Sequence, residues 1–131
     1  SDLCPGLVRF GDYRIAGGER AIADLFQETM RPTAVLTAND LTAFGAIRGL
    51  HTMGLSVPRD VSLVGLDDVL LTDVLQPPLT TIRIPRRRMA QACLKAINHT
   101  KQDVERRGSR YSVPAELVVR ESTARAARNK G

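Results

Sequence analysis

The sequence contains only two cysteines, Cys4 and Cys93. They do not form a CxxC-type pair of the kind that marks a metal site. A single possible disulfide bridge is weak support for an oxidising compartment. We therefore predict that both cysteines are reduced thiols, and we predict neither a metal site nor a cofactor.

Long apolar runs are also missing. No run approaches the ~20 residues that a membrane-spanning helix requires. The first residues have neither the charged segment followed by an apolar one nor the small-residue cleavage site of a signal peptide. Apolar residues make up 43% of the chain and charged residues 25%, which is an ordinary globular composition. We expect a soluble, cytoplasmic protein with no membrane partner.

Acidic residues are scarce in the last part of the chain. Residues 83–131 contain 13 Lys and Arg against 4 Asp and Glu, whereas residues 1–82 contain 6 against 10. A basic region invites a nucleic-acid interpretation. However, few aromatic residues interrupt it, and much of it falls on a predicted helix surface, so we favour a solvated face.

At 131 residues, the chain suits one domain but is too short for two lobes and a DNA-binding headpiece. Three segments have apolar residues at the three- and four-residue spacing of amphipathic helices: residues 16–30, 41–53 and 85–98. Asn39 and Asp40 supply side-chain oxygens suited to cap the second helix, and Gly54 is suited to end it in a left-handed conformation.

Five short apolar or β-branched runs predict strands: residues 7–10, 33–38, 61–66, 79–84 and 115–120. The first three alternate with predicted helices, and the second and third are continuous enough to suggest burial on both faces. Alternation of this kind indicates an α/β fold, with a parallel, Rossmann-like sheet and helices on both of its faces.

Each of the first three predicted strands is followed by a side chain suited to ligand binding: Tyr13, Asn39 and Asp67. The carboxyl ends of parallel strands meet at one edge of a sheet, so we expect these side chains at a common rim. An aromatic face, an amide and a carboxylate together suit a small molecule with a ring and hydroxyl groups. The alternative is that Asn39 and Asp67 merely cap helices.

Three runs resemble the C-terminal half of LacI/GalR-family regulators: RPTAVLTANDLTAFGAIRGLHTMGLSVPRDVSLVGLDD, QPPLTTIRIPRRRMAQACLKAI and PAELVVREST. They lie in the family's order and spacing over nearly the whole chain. The resemblance implies a periplasmic-binding-protein-like fold of two lobes around an effector cleft. Residues 1–76 would form the second lobe, residues 77–100 a crossover strand and helix of the first lobe, and residues 101–131 the return strand and tail. The DNA-binding headpiece would be absent from this sequence.

The resemblance also implies effector contacts at Tyr13, Asn39, Leu41, Asp67 and Arg86. Leu41 stands at a position that is polar in some sugar-binding relatives. Arg86 replaces an apolar or aromatic residue of some relatives, and it either pairs with an anionic group of the ligand or remains a solvated arginine.

Five apolar residues match the family's dimer-forming positions: Phe44, Ile47, Leu71, Val74 and Leu75. Ordinary core packing is a credible alternative for Phe44 and Ile47. For the segment after Asp68, self-association across a two-fold axis is favoured.

The implied function is the effector-sensing and dimerising portion of a DNA-binding transcriptional regulator, a repressor. It would bind a sugar or nucleoside-like ligand between its lobes, form a homodimer, and reach operator DNA only through the missing headpiece. The alternative is a periplasmic solute-binding protein of a sugar transporter. We predict no enzyme and no catalytic residue, because Asp67 and Asp68 are adjacent and neither His51 nor His99 has a visible nucleophile partner.

The predicted helix at residues 85–98 has an apolar stripe formed by Met89, Cys93, Leu94 and Ile97. In the family, the partners of this stripe would belong to the first lobe. We therefore expect residues 79–98 to dock on a second copy of the chain in preference to folding back on their own.

Overall fold

The computed structural model describes residues 5–102 and 110–126, with the side chains of residues 6–98 in the first range. After a 3₁₀ turn at Pro5–Leu7 come α1 (Ile15–Leu25), β1 (Ala34–Leu36), α2 (Asp40–Thr52), β2 (Ser62–Asp67), β3 (Thr80–Arg83), α3 (Arg86–Gln102) and β4 (Glu116–Val118). The predictions for Cys4, the side chain of His99 and residues 103–109 and 127–131 lie outside the described residues. No described helix is both long and apolar enough to cross a membrane.

The four strands form one sheet in the order β1-β2-β3-β4. The first two pairings are parallel, and β4 runs antiparallel to β3. The predicted α/β class with a mainly parallel sheet is therefore confirmed. The expectation that residues 79–98 dock on another copy is wrong for the strand, because β3 pairs with β2 and β4 of its own chain and places Ile82 opposite Leu66, and it stays a prediction for the helix.

The predicted strand at residues 7–10 does not form. Its central Arg9 donates from Nη1 to the carbonyl oxygens of Gly6 and Val8, each at 2.9 Å, and its Nη2 pairs with Glu28. A strand exists only where a neighbour supplies ladder hydrogen bonds. In the described residues none does so here, because β1 pairs only with β2.

Strand β1 is shorter and less buried than its apolar composition predicts. Val35 is half-buried, whereas Ala34 and Leu36 are exposed. Side chains alternate between the faces of a strand, and only the face of Val35 contacts the core beneath α1 and α2. Burial of this strand on both faces was therefore a wrong prediction for the part of the chain described.

The core lies between α1, α2 and the sheet. It contains Ile22, Leu25, Phe26, Ala43, Ala46, Leu50, Val61, Leu63 and Leu79. Helix α1 ends at Leu25 with Phe26 as its C-cap, so it stops earlier than predicted. Met30 is exposed and does not belong to the buried stripe.

Helix α2 follows its local signals closely. Asn39 caps it by accepting a hydrogen bond from the amide of Thr42 at 2.9 Å. Gly54 beyond its C-terminus has a φ of 74°, the left-handed conformation that glycine adopts at low cost. Both end signals are confirmed.

Helix α3 does not pack closely on any other described element. Met89, Leu94 and Ile97 are exposed, as is the free thiol of Cys93. The predicted stripe thus lies on one helix and has no cover within the described residues. The assignment of this segment to a first lobe stays a prediction.

Candidate functional site

The carboxyl ends of β1 and β2 lie side by side, because the two strands are parallel and Leu36 is paired with Val64. Asn39 follows β1 and begins α2, while Asp67 ends β2. The segment before α1 approaches the same edge, since Nδ2 of Asn39 donates to the carbonyl oxygen of Tyr13 at 3.0 Å. Two of the three predicted rim residues are therefore hydrogen-bonded to each other.

Asn39 serves mainly as a cap. Its Oδ1 accepts from the amide and the hydroxyl of Thr42, at 2.9 and 2.6 Å. One of its two side-chain N–H groups donates to Tyr13, so one N–H group is left that can donate to a ligand. Tyr13 as a residue is 65% exposed, and its φ of 61° is unusual for a non-glycine residue. The aromatic ring of Tyr13 and one amide proton of Asn39 are thus both available to a ligand.

Asp67 caps no described helix. Its carboxylate accepts no hydrogen bond within residues 5–102 and 110–126, although its carbonyl oxygen accepts from Nη2 of Arg86 at 2.9 Å. Burial raises the pKa of the Asp67 carboxyl above its ordinary value, and the negative charge of Asp40 raises it further, with partial opposition from Arg86. This carboxylate is partly desolvated and has free acceptor capacity.

The neighbouring carboxylate of Asp68 is fully engaged. It accepts from Arg83 Nε at 2.6 Å, Arg120 Nη2 at 2.8 Å and Thr72 Oγ1 at 3.1 Å. Burial alone would raise the pKa of Asp68, but the hydrogen bonds from Arg120, Arg83 and Thr72 outweigh it and hold that pKa below its ordinary value. Two adjacent aspartates therefore have opposite roles, one structural and one open to a ligand.

Leu41 and Arg86 complete the predicted set. Leu41 is partly exposed in the first turn of α2. Arg86 is exposed at the start of α3, and in the described part of the chain its guanidinium has no carboxylate partner within ion-pair distance. The hydrogen bond to Asp67 nevertheless places a cation beside the open carboxylate.

The sequence predicted only a second capping oxygen at Asp40, yet Asp40 is a fully buried carboxylate at this edge. It is completely inaccessible to solvent. Its Oδ2 accepts from the Val69 amide at 2.9 Å, and its Oδ1 from the Thr81 hydroxyl at 2.6 Å. The only local signal is an acidic residue in the first turn of a helix, which the helix dipole favours anyway.

A cavity of about 210 Å³ lies beside this rim, between β1, α1 and the segment before α1. It is lined mainly by apolar side chains, including Phe10, Leu25, Leu36 and Ala46. Of the predicted effector contacts, only Tyr13 borders it. Its volume is below the range of about 300–1,000 Å³ typical of small-molecule pockets. The predicted contacts form an open rim and not an enclosed pocket.

The predicted dimer positions fall into two groups. Phe44, Ile47 and Leu75 are half-buried and pack against the core, whereas Leu71 and Val74 are exposed, Val74 to 70%. His51 is exposed on α2, as expected of a surface residue. Within the described residues, no three His, Cys, Asp or Glu side chains lie together as metal ligands would.

These features define an α/β ligand-binding domain with its polar rim at the carboxyl edge of a parallel sheet. Residues 6–123 match the family described as "Periplasmic binding protein-like domain". The chain is 40% identical over 125 residues to the HTH-type transcriptional regulator MalR of Streptomyces coelicolor, covering 95% of this chain and 36% of that protein. It is 32% identical to the HTH-type transcriptional repressor PurR of Aliivibrio fischeri, covering 92% and 36%.

Solved structures agree with these relatives. The transcriptional regulator CelR in complex with cellobiose matches with a TM-score of 0.83 and 29% identity, over 92% of this chain and 37% of that one. A LacI-family regulator of Enterococcus faecalis with bound ribose matches with a TM-score of 0.74 and 29% identity, over 87% and 42%. The lac repressor dimer bound to operator matches with a TM-score of 0.78 and 34% identity, over 86% and 39%.

The chain belongs to the LacI family of transcriptional regulators and corresponds to their C-terminal, periplasmic-binding-protein-like effector-binding region. It spans about 36% of the length of the curated regulators it matches.

Proposed function

We propose that this chain is the effector-sensing portion of a cytoplasmic, dimeric DNA-binding repressor, and that its effector is a sugar. The observation that carries the proposal is the open carboxylate of Asp67, which is partly buried at the rim and accepts no hydrogen bond from the described residues. Sugar hydroxyls are donors that suit such an acceptor. The names of the regulators bound to cellobiose and ribose support this ligand class.

The rim also contains groups that would orient a sugar ring. The exposed face of Tyr13 can stack against the ring, and the free amide proton of Asn39 can reach a hydroxyl or ring oxygen. Arg86 adds a cation next to Asp67. An effector with an anionic substituent beside its hydroxyls would use both groups.

Coupling to DNA would follow from differential binding. A ligand shifts a two-state equilibrium only by the difference between its affinities for the two states. An effector held between two lobes would favour one arrangement of the lobes and so alter the spacing of paired DNA-binding headpieces. This chain contributes the rim and takes no part in base recognition.

The alternative of a transporter's periplasmic solute-binding protein shares the fold. It is less well supported, because the relatives and neighbours described above are transcriptional regulators. The same relatives favour a non-enzymatic role.

Calorimetric titration of the full-length protein tests the ligand class. Ribose, cellobiose and ribose 5-phosphate are titrated in turn, and we expect saturable binding of at least one. Substituting Arg86→Gln should weaken the phosphorylated sugar by about tenfold or more, since a charge-assisted hydrogen bond is lost. It should weaken binding of the neutral sugars much less, because they lose only the support that Arg86 gives to the backbone of Asp67.

If none of the three sugars binds, the proposed ligand class is wrong. If Arg86→Gln weakens neutral and anionic sugars equally, the role of Arg86 in reading charge is wrong. An operator gel shift with and without the bound sugar then reports whether binding is coupled to DNA.

Self-association through the segment after Asp68 gives a separate prediction. Val74 is exposed on a single chain, and an isologous interface brings each residue close to its equivalent on the other copy. Val74→Arg should shift the full-length protein toward monomer in sedimentation equilibrium, because two like charges would be buried together. Met30→Arg, at another exposed apolar position, is the control, and unchanged association of Val74→Arg would remove this segment from the interface.

A further inference from the structure

The backbone where β2 ends is held in an unusual conformation. Asp67 has a φ of 122° and Asp68 a φ of 54°. Non-glycine residues seldom adopt positive φ, and two in succession persist only where the surroundings hold them. The direction of the Asp67 side chain depends on this turn.

Thr72 closes the turn by donating from its amide and its hydroxyl to the carbonyl oxygen of Val69, and three further sets of contacts hold it. The carboxylate of Asp68 accepts hydrogen bonds from two arginines and from Thr72. Arg86 binds the carbonyl oxygen of Asp67 at 2.9 Å. On the far side, the amide of Val69 donates to the buried carboxylate of Asp40 at 2.9 Å. Arg83 and Arg86 are exposed, whereas Thr72 and Asp40 are buried, so Asp40 is the fully buried charged group among those that hold the turn.

Asp40 is not needed as a cap, because Asn39 already caps α2. Burying a carboxylate is costly unless it is well hydrogen-bonded, and here one oxygen is committed to Val69 and the other to Thr81. Gly65 makes room for it, since a Cβ at that position would lie 2.2 Å from Oδ1 of Asp40. The carboxylate, its two donors and the glycine together form a built attachment point between α2, β3 and the turn.

We propose that Asp40 is a positioning residue for effector binding, which fixes the Asp67–Val69 turn from inside the protein and so aims the Asp67 carboxylate into the rim. The inference rests on the proposed role of Asp67 as an effector contact. Asp40 would not touch the effector. Its negative charge also contributes to raising the pKa of Asp67, which indicates that the two carboxylates interact.

Three variants of the full-length protein separate positioning from simple stability. Asp40→Ala removes both hydrogen bonds. Asp40→Asn preserves an oxygen for the Val69 amide and turns its own amide toward the Thr81 hydroxyl, which can accept. Thr81→Val is the matched control, because it removes only the hydrogen bond that does not reach the turn.

The first readout needs no effector. In amide hydrogen exchange by NMR, we expect Val69 to lose about tenfold or more of its protection in Asp40→Ala and to retain it in Asp40→Asn and Thr81→Val. The three-bond amide-to-Hα couplings of Asp67 and Asp68 should change in Asp40→Ala only. Unchanged couplings and Val69 protection in folded Asp40→Ala would overturn the proposal, whether or not a sugar binds.

The second readout is a double-mutant cycle with whichever of ribose, cellobiose or ribose 5-phosphate binds the wild type. Asp40→Ala should lower the affinity for that sugar about tenfold when Asp67 is present and by less than about twofold in an Asp67→Ala background. Asp40→Asn should restore most of the affinity. Equal losses in both backgrounds would mean that Asp40 acts on stability alone. Failure of all three sugars to bind would count against the proposed function, and the exchange experiment would still decide the turn.

Discussion

Replacing Asp67 with asparagine is expected to weaken effector binding by about 10- to 150-fold, the equivalent of one charge-assisted hydrogen bond. The substitution preserves the shape of the side chain but removes the negative charge and one strong acceptor. The carbonyl oxygen that binds Arg86 belongs to the backbone and is unaffected. Calorimetry with the sugar that binds the wild type measures the effect, and an unchanged dissociation constant would remove Asp67 from the site.

The same variant should be more stable than the wild type at neutral pH. Burial and the charge of Asp40 raise the folded-state pKa of Asp67 above its unfolded value, with Arg86 opposing. A carboxyl with a raised pKa loses stability as pH rises through the interval between the two values. Urea unfolding should therefore give Asp67→Asn a higher free energy of unfolding than the wild type at pH 7. The difference should disappear below about pH 4, the ordinary range of aspartate.

Asp68→Asn provides the control, with the opposite sign. Its folded-state pKa is lowered because the hydrogen bonds from Arg120, Arg83 and Thr72 outweigh burial. The ionised form therefore stabilises the fold above the unfolded pKa, and that contribution is lost as pH falls through the folded value. The variant should be less stable than the wild type at pH 7, and the deficit should shrink in acid. Gaps of the same sign for both variants would contradict the opposite roles assigned to the two aspartates.

Replacing Gly45 with alanine is expected to reduce the free energy of unfolding by about 2 kcal/mol. Gly45 lies where α2 meets α1, and a Cβ there would be 1.9 Å from the carbonyl oxygen of Ile15 and 2.8 Å from the amide nitrogen of Glu19. Both are backbone atoms, so the helices themselves must move apart. A clash with backbone atoms falls at the upper end of the cost of overpacking, about 3 kcal/mol, and the better helix propensity of alanine offsets about 1 kcal/mol of it.

Denaturant unfolding at constant pH measures this loss. Gly11→Ala is the matched control, because nothing lies within 4 Å of a Cβ built at that position. We expect its effect to stay within about 0.5 kcal/mol. Equal stability of Gly45→Ala and the control would show that α1 and α2 separate at little cost.

Local signals predicted much of the fold. The N-cap at Asn39 and the left-handed Gly54 set the ends of α2. The apolar run near residues 61–66 became β2, within one residue of the predicted bounds. These features depend on neighbours a few residues away, so they can be recognised in a single chain.

The same reasoning failed where strand formation or burial depends on elements that are distant in sequence. Residues 7–10 have strand composition but find no neighbouring strand in the described residues. Strand β1 is apolar throughout, yet Leu36 is 70% exposed because helices cover only one face of the strand. Apolar composition indicates which side chains a segment can bury. Whether they are buried depends on which other elements pack against that segment.

By itself, the sequence determined the α/β class, the capped second helix and the placement of Tyr13, Asn39 and Asp67 after strand-like runs. Only the tertiary structure decided what their polar groups are free to do. The side-chain oxygen of Asn39 accepts from Thr42, and the Asp68 carboxylate accepts from arginines distant in sequence. The Asp67 carboxylate accepts no hydrogen bond from the described residues and can still bind a ligand. The physical reason is that hydrogen-bond capacity is fixed by residue type, whereas its use depends on donors that folding brings from elsewhere in the chain.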